Sequence, residues 1–174
     1  MIMSKRLASV ALALSFTLML ASPNATSGDQ LTLSYSGQQY LLPPNPVAIG
    51  SAGGKDNVLI IKYSEKSGKD YISLSRGGNL ETGACSYPDF FRSTLDSQAE
   101  DSCANSAIDA FRRIFVADAE TDVWEVSGHL HYYFRTADHG TFVFSVIDDH
   151  AIIVIDTDFM EEQELRHALT GLAE

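Results

Sequence analysis

His129 and His131 stand two residues apart. In a strand that spacing puts both imidazoles on one face, with Cα atoms about 7 Å apart, a separation that can chelate one Zn²⁺ or Cu²⁺. If the following hairpin pairs Thr136 with Thr141, Asp148 falls opposite His129 and a His–His–Asp set results. The competing reading is a pair of surface or cross-strand histidines, which this spacing usually means. The expectation is therefore no cofactor, with His129, His131 and Asp148 as the candidate metal ligands.

Asp118, Glu120 and Asp122 alternate as the first half of an EF-hand loop does. Val123-Trp124 stands where the glycine turn belongs, however, and His129 takes the twelfth position in place of a bidentate Glu. Nucleophilic chemistry fares no better. Gly50-Ser51-Ala52-Gly53-Gly54 has the composition of a nucleophile elbow without the Gly-x-Ser-x-Gly spacing. Lys66-Ser67-Gly68 lacks a Ser-x-x-Lys partner, and Gly68-Lys69 runs into Asp70 with no upstream P-loop glycine. The 23 acidic residues allow many carboxylate pairs and select none. The sequence assigns no catalytic residue, and the chain is expected not to be an enzyme.

Two segments suit recognition better than catalysis. Tyr87-Pro88-Asp89-Phe90-Phe91 gathers three aromatics, and Trp124, the single tryptophan, follows the acids Asp118, Glu120 and Asp122. Aromatic anchors beside carboxylates are what a protein-binding surface needs, the rings for affinity and the charges for steering. The expected partner-binding residues are Tyr87, Phe90, Phe91, Asp118, Glu120, Asp122 and Trp124. The alternative is that these rings pack beneath a loop as core.

Residues 1–25 explain where such a surface would work. Lys5 and Arg6 precede fifteen uncharged residues, Leu7 to Ala21, and small residues around Ala21 to Ala25 offer cleavage sites. The apolar run is shorter than the roughly 20 residues needed to span a bilayer. No cysteine stands at the cleavage point to carry a lipid. The expectation is a cleaved signal peptide, no stable membrane anchor and a periplasmic or secreted location. Outside the cytoplasm Cys85 and Cys103 should form a disulfide closing a loop of seventeen residues, contributing about 3 kcal/mol through loop-closure entropy. No Cys-x-x-Cys suggests a redox role.

Loss of Lys5 and Arg6 leaves 10 basic against 23 acidic residues, a net charge of −13. Residues 26–98 are nearly balanced, with 7 acids and 6 bases, whereas residues 99–174 hold 16 acids and 4 bases. Such a surface repels nucleic acid and anionic lipid, and favours a protein partner that is basic or has a basic cleft.

The elements that must carry these residues follow from periodicity. About 150 residues suffice for one domain, 26–174. Leu31 to Tyr35 and Gln39 to Leu42 read as an opening hairpin, and the stretch through Pro43, Pro46 and Gly50 to Gly54 as irregular. Asn57 to Tyr63 and Tyr71 to Ser75 are strands, and Leu80 to Ser102 is a long stapled connection. A central helix is expected over about 105–116, capped from Ser106 or Ser102, with Ala107, Ile108, Phe111, Ile114 and Phe115 on its inner face. From Val123 an antiparallel meander follows, with strands His129 to Thr136, Thr141 to Ile147 and Ala151 to Thr157. Apolar runs such as Phe142-Val143-Phe144 imply central strands covered on both faces. A C-terminal helix over about 159–172 closes the chain, with Asp158-x-x-Glu161 as its capping box and Leu165, Ala168, Leu169 and Leu172 turned inward.

The fold class is therefore α+β, a single domain on a largely antiparallel sheet. The expected function is that of an exported protein-binding protein, an inhibitor or immunity protein that blocks a toxic or lytic enzyme. The alternatives are a small-ligand or metal-binding envelope module and a hydrolase of unrecognised type.

Overall fold

Alternating inward and outward side chains build the centre of the molecule. The computed structural model describes residues 30–53, 58–77, 80, 82–96 and 103–172. The leader assigned to residues 1–25 lies outside them. The opening hairpin is β1 (Leu31–Tyr35) with β2 (Gln38–Leu42). Two meanders follow. The first is β3 (Ala48–Ala52), β4 (Val58–Lys62) and β5 (Tyr71–Arg76), and the second is β6 (Glu120–Val126), β7 (His129–Thr136), β8 (Gly140–Asp148) and β9 (Ala151–Thr157). Pairing of β5 with β9 joins them into one antiparallel seven-stranded sheet in the order β3-β4-β5-β9-β8-β7-β6. The chain crosses from β5 to the far edge through α1 (Tyr87–Leu95) and α2 (Asn105–Phe111), and ends in α3 (Glu162–Leu169). The fold is α+β, a single compact unit with antiparallel sheets.

The sheet buries both faces, which is why β8 and β9 are apolar on both sides. Ile61, Ile72, Leu74, Tyr133, Val143, Ile153 and Ile155 face the β1–β2 hairpin and α3, meeting Tyr40, Leu42, Leu165 and Leu169. Their alternates Tyr132, Phe134, Phe144, Val146 and Ile152 face α1 and α2, meeting Phe90, Phe91, Ile108 and Phe111. Gly171 lets the last turn approach the hairpin closely. A Cβ there would lie 3.0 Å from Leu41 Cγ and 3.2 Å from the Gln39 carbonyl oxygen.

Several boundaries differ from the sequence expectations. The stretch expected to be irregular contains β3, and the long connection contains α1. Ser86 caps α1, its Oγ accepting from the Asp89 amide at 3.3 Å and donating to Asp89 Oδ2 at 2.8 Å. Strand β6 begins at Glu120 instead of Val123. Helix α2 ends at Phe111 and passes into a π-helical turn, Arg112–Val116, which carries Ile114 out to solvent. Its N-cap is Ala104, with no side-chain hydrogen bond, so Ser106 does not serve; Ser102 lies outside the described residues. The C-terminal helix starts later than expected, with Glu161 and Glu164 forming the capping box in place of Asp158 and Glu161. Leu165, Ala168 and Leu169 are buried as expected, while the Leu172 side chain lies outside the description. Cys85 and Cys103 are bonded, tying the chain ahead of α1 to the start of α2. Among the described residues no helix is long and apolar enough to cross a membrane.

Candidate functional site

The two ends of the seven-stranded sheet differ sharply in charge, and β6 is the acidic one. Antiparallel pairing with β7 places Glu120 opposite Arg135, Asp122 opposite Tyr133 and Trp124 opposite His131. Glu120, Asp122 and Trp124 therefore lie on the α3 side of the sheet, and Thr121, Val123 and Glu125 on the helix-pair side. All of them except Trp124 are exposed, Val123 to 43 %. An edge strand with carboxylates on both of its faces is the result. Asp118, in the preceding turn at φ 57°, adds another exposed acid.

Trp124 holds this edge down. Its ring is 2 % exposed and stacks on Tyr133 with centroids 5.1 Å apart. The indole Nε1–H donates to Asp122 Oδ2 at 3.1 Å. Arg166 of α3 covers the outer face, its guanidinium carbon 4.4 Å from the ring centre, and reaches Asp122 at 2.6 Å and Glu162 at 2.8 Å. Asp122 also accepts the Val123 amide at 2.7 Å, so it is a structural acid bound to three groups, and α3 is pinned to the strand.

Other bases of this half are likewise occupied inside the fold. Arg135 forms two hydrogen bonds to the Glu161 carboxylate, which holds that carboxyl below its usual range. Arg112 donates to the carbonyls of Ser93, Thr94 and Asp96 and so caps the C-terminal end of α1. Of the four basic residues after position 98, Arg112, Arg135 and Arg166 are used this way. Asp118, Glu120 and Glu125 form no ion pair with a described residue. Glu120 faces Arg135 across the strand pair, whereas Asp118 and Glu125 turn their charge to solvent.

The aromatic anchors expected at the surface are interior. Phe90 and Phe91 are 0 % exposed, and Tyr87 is buried with its hydroxyl donating to the Gly77 carbonyl. Phe91 stacks on Tyr132 at 4.7 Å and packs against Phe144 at 5.2 Å and Phe111 at 5.6 Å. These rings bind α1 to the sheet and cannot reach a partner while the protein is folded. Of the seven expected residues the structure brings together Asp118, Glu120, Asp122 and Trp124 along β6, and leaves Tyr87, Phe90 and Phe91 on the other face.

The His–His–Asp set does not form. Gly140, at φ 90°, pairs with Thr136, so the β7–β8 register places His131 opposite Ser145 and is one residue out from the arrangement that would bring Asp148 to His129. An irregularity between Val146 and Asp148 disturbs the strand further, and Asp148 is exposed. His129 Nδ1 meets the Val146 carbonyl at 3.2 Å, while the wholly buried His131 bonds Ser145 Oγ at 2.8 Å. Burial lowers the His131 pKa to about 4, outweighing the nearby Val126 backbone, so this imidazole stays neutral near pH 7. Among the described residues no group of three His, Cys, Asp or Glu side chains is placed to hold a metal ion.

Sequence reasoning missed a concave region, a polar cleft of about 440 Å³ whose walls include Lys69, Tyr71, Arg135, His139 and Asp158. Asp158 accepts the Asp70 amide at 3.1 Å and the Tyr71 amide at 3.0 Å. Tyr71 donates its hydroxyl to both oxygens of Asp156, at 3.1 and 3.0 Å. Burial, with the two nearby carboxylates, pushes Tyr71 up to about 12, so it serves as a donor and not as a base. Lys69, His139 and Asp158 lie outside the strands, while Tyr71 belongs to β5 and Arg135 to β7, a convergence with no local sequence signal. In comparisons with known proteins, no family model, no curated protein and no solved structure matches the chain.

Proposed function

We propose that this protein is exported and acts as a binding protein, an inhibitor or immunity protein that blocks a basic enzyme with its acidic sheet edge. The observation that carries the reading is β6 itself. It is an exposed edge strand with Glu120 and Glu125 on opposite sides, an apolar Val123 between them and Asp118 beside them. Carboxylates on a rigid edge raise the encounter rate with a cationic surface. The outer backbone groups of the edge other than the Val123 amide, which Asp122 Oδ1 already accepts at 2.7 Å, can then pair with an extended segment of the partner. The Arg166–Trp124–Asp122 contact fixes the strand before binding, which lowers the ordering cost. The Cys85–Cys103 bond and the leader-like residues 1–25 support work outside the cytoplasm.

Affinity capture from native extract tests the reading. The wild-type protein should retain a basic partner that salt releases, and Glu120→Lys with Glu125→Lys should lose it while staying folded. Equal recovery by both forms would remove β6 as the binding surface.

One observation favours a second reading, a small-ligand module. The cleft between Lys69, Arg135, His139 and Asp158 offers charges of both signs within one concavity. A thermal-shift screen with small charged ligands separates the two. Stabilisation lost in Lys69→Ala and retained in Glu120→Lys would favour the cleft.

A further inference from the structure

The opposite edge of the sheet, β3, is built in the contrary way. All five residues of Ala48-Ile49-Gly50-Ser51-Ala52 are exposed, and none carries a charge. Val47 and Ile49, 55 % and 50 % exposed, are two of the most exposed large apolar side chains described. Proteins usually protect such an edge with lysine, an internal proline, a bulge or a cover, because its free amides and carbonyls accept another strand. The strand β3 has no charged or proline residue, and its register with β4 runs evenly from Ala48–Lys62 to Ala52–Val58.

We propose that β3 is a dimerisation edge, on which a second copy of this chain pairs its own β3 antiparallel about a two-fold axis at Gly50. Charge selects the occupant. Copies with a net charge of −13 after leader removal repel one another, most strongly where 16 acids face 4 bases in residues 99–174. Pairing through β6 would set Glu120, Asp122 and Glu125 against their own copies. The β3 edge carries no charge of its own, and the strand paired with it, β4, carries only Lys62, so two copies meeting there set no carboxylates against each other. The two-fold register is also sterically self-compatible: Ala48 meets Ala52 of the second copy, Ile49 meets Ser51, and the two Ile49 side chains cover each other diagonally across the axis. The dimer leaves both β6 edges free at its outer ends. It does not depend on the capture reading, which concerns the other edge.

Light scattering and sedimentation of the purified protein, from low to high micromolar, test the proposal. A concentration-dependent dimer is expected, and Ile49→Lys should weaken it about tenfold or more by placing like charges across the axis. Val123→Lys, on the far edge, should leave it unchanged. A Cβ added at Gly50 meets nothing within 4 Å, so Gly50→Cys is tolerated and should give a dimer on a non-reducing gel. A monomer at every concentration, or a dimer that survives Ile49→Lys and does not cross-link through Gly50→Cys, would overturn it.

Discussion

The guanidinium carbon of Arg166 stands 4.4 Å from the centre of the Trp124 ring, and the same side chain reaches Asp122 at 2.6 Å. One arginine thus neutralises an acid, covers the only tryptophan and ties the last helix to the edge of the sheet. Because this group is partly exposed, its worth is modest. Arg166→Ala should cost about 1–2 kcal/mol, combining lost cation–π contact and hydrogen bonds to charged groups. Trp124 reports the change directly: its emission should shift to the red in the variant under native conditions, and an unshifted spectrum would mean that α3 stays docked without the contact.

Reduction of Cys85–Cys103 should lower stability by about 3 kcal/mol, as expected for a sequence separation of 18. Denaturant midpoints with and without reductant measure this. An unchanged midpoint would show that packing of α1 alone holds the segment.

The interior histidine should make the fold acid-sensitive. His131 is held near 4, whereas an unfolded chain takes up that proton near 6.5. Between these values the unfolded state binds more protons, so stability rises with pH and falls as acid is added, by about 3 kcal/mol in all. Asp156, raised by burial, contributes with the opposite sign at the acidic end. Comparison with His131→Asn isolates the histidine. Urea midpoints should drop more steeply on acidification in the wild type than in the variant, and parallel profiles would contradict the assignment.

Phe90→Ala and Phe91→Ala should each cost about 3–5 kcal/mol, because each opens a void among rings that touch both helices and the sheet. Glu120→Lys should cost no more than about 1 kcal/mol, because the residue is exposed and the new cation faces Arg135 across the strand pair. A Phe90→Ala protein as stable as wild type would return that ring to the surface.

Strands whose alternation serves a covered sheet were legible in the sequence. Ala151–Thr157 matches the expected span, and His129–Thr136 does as well, because β-branched and aromatic residues fill both periods. Strand β3 was hidden by its own exposure: Gly50, Ser51 and Ala52 have no core to face and so no apolar alternation. Helix α1 carries a start signal in Ser86-Tyr87-Pro88-Asp89, a cap followed by proline in the first turn, but its aromatics suggested a surface instead. The β7–β8 register turned on Gly140 pairing with Thr136, a left-handed position that hydrophobic pattern cannot reveal. Of the site, the acids of β6 were readable as charge. Their placement on both sides of an edge strand was not, since strand order is set by long-range pairing.

The role of β6 is tested most directly by placing a photo-crosslinking residue at Val123, exposed at the centre of the acidic edge, and irradiating cells that produce the protein. The predicted result is a discrete heavier adduct that Glu120→Lys with Glu125→Lys abolishes and that the same residue at Ser67, in the β4–β5 turn, does not give. No adduct at Val123, or equal adducts at both positions, would contradict a partner on β6.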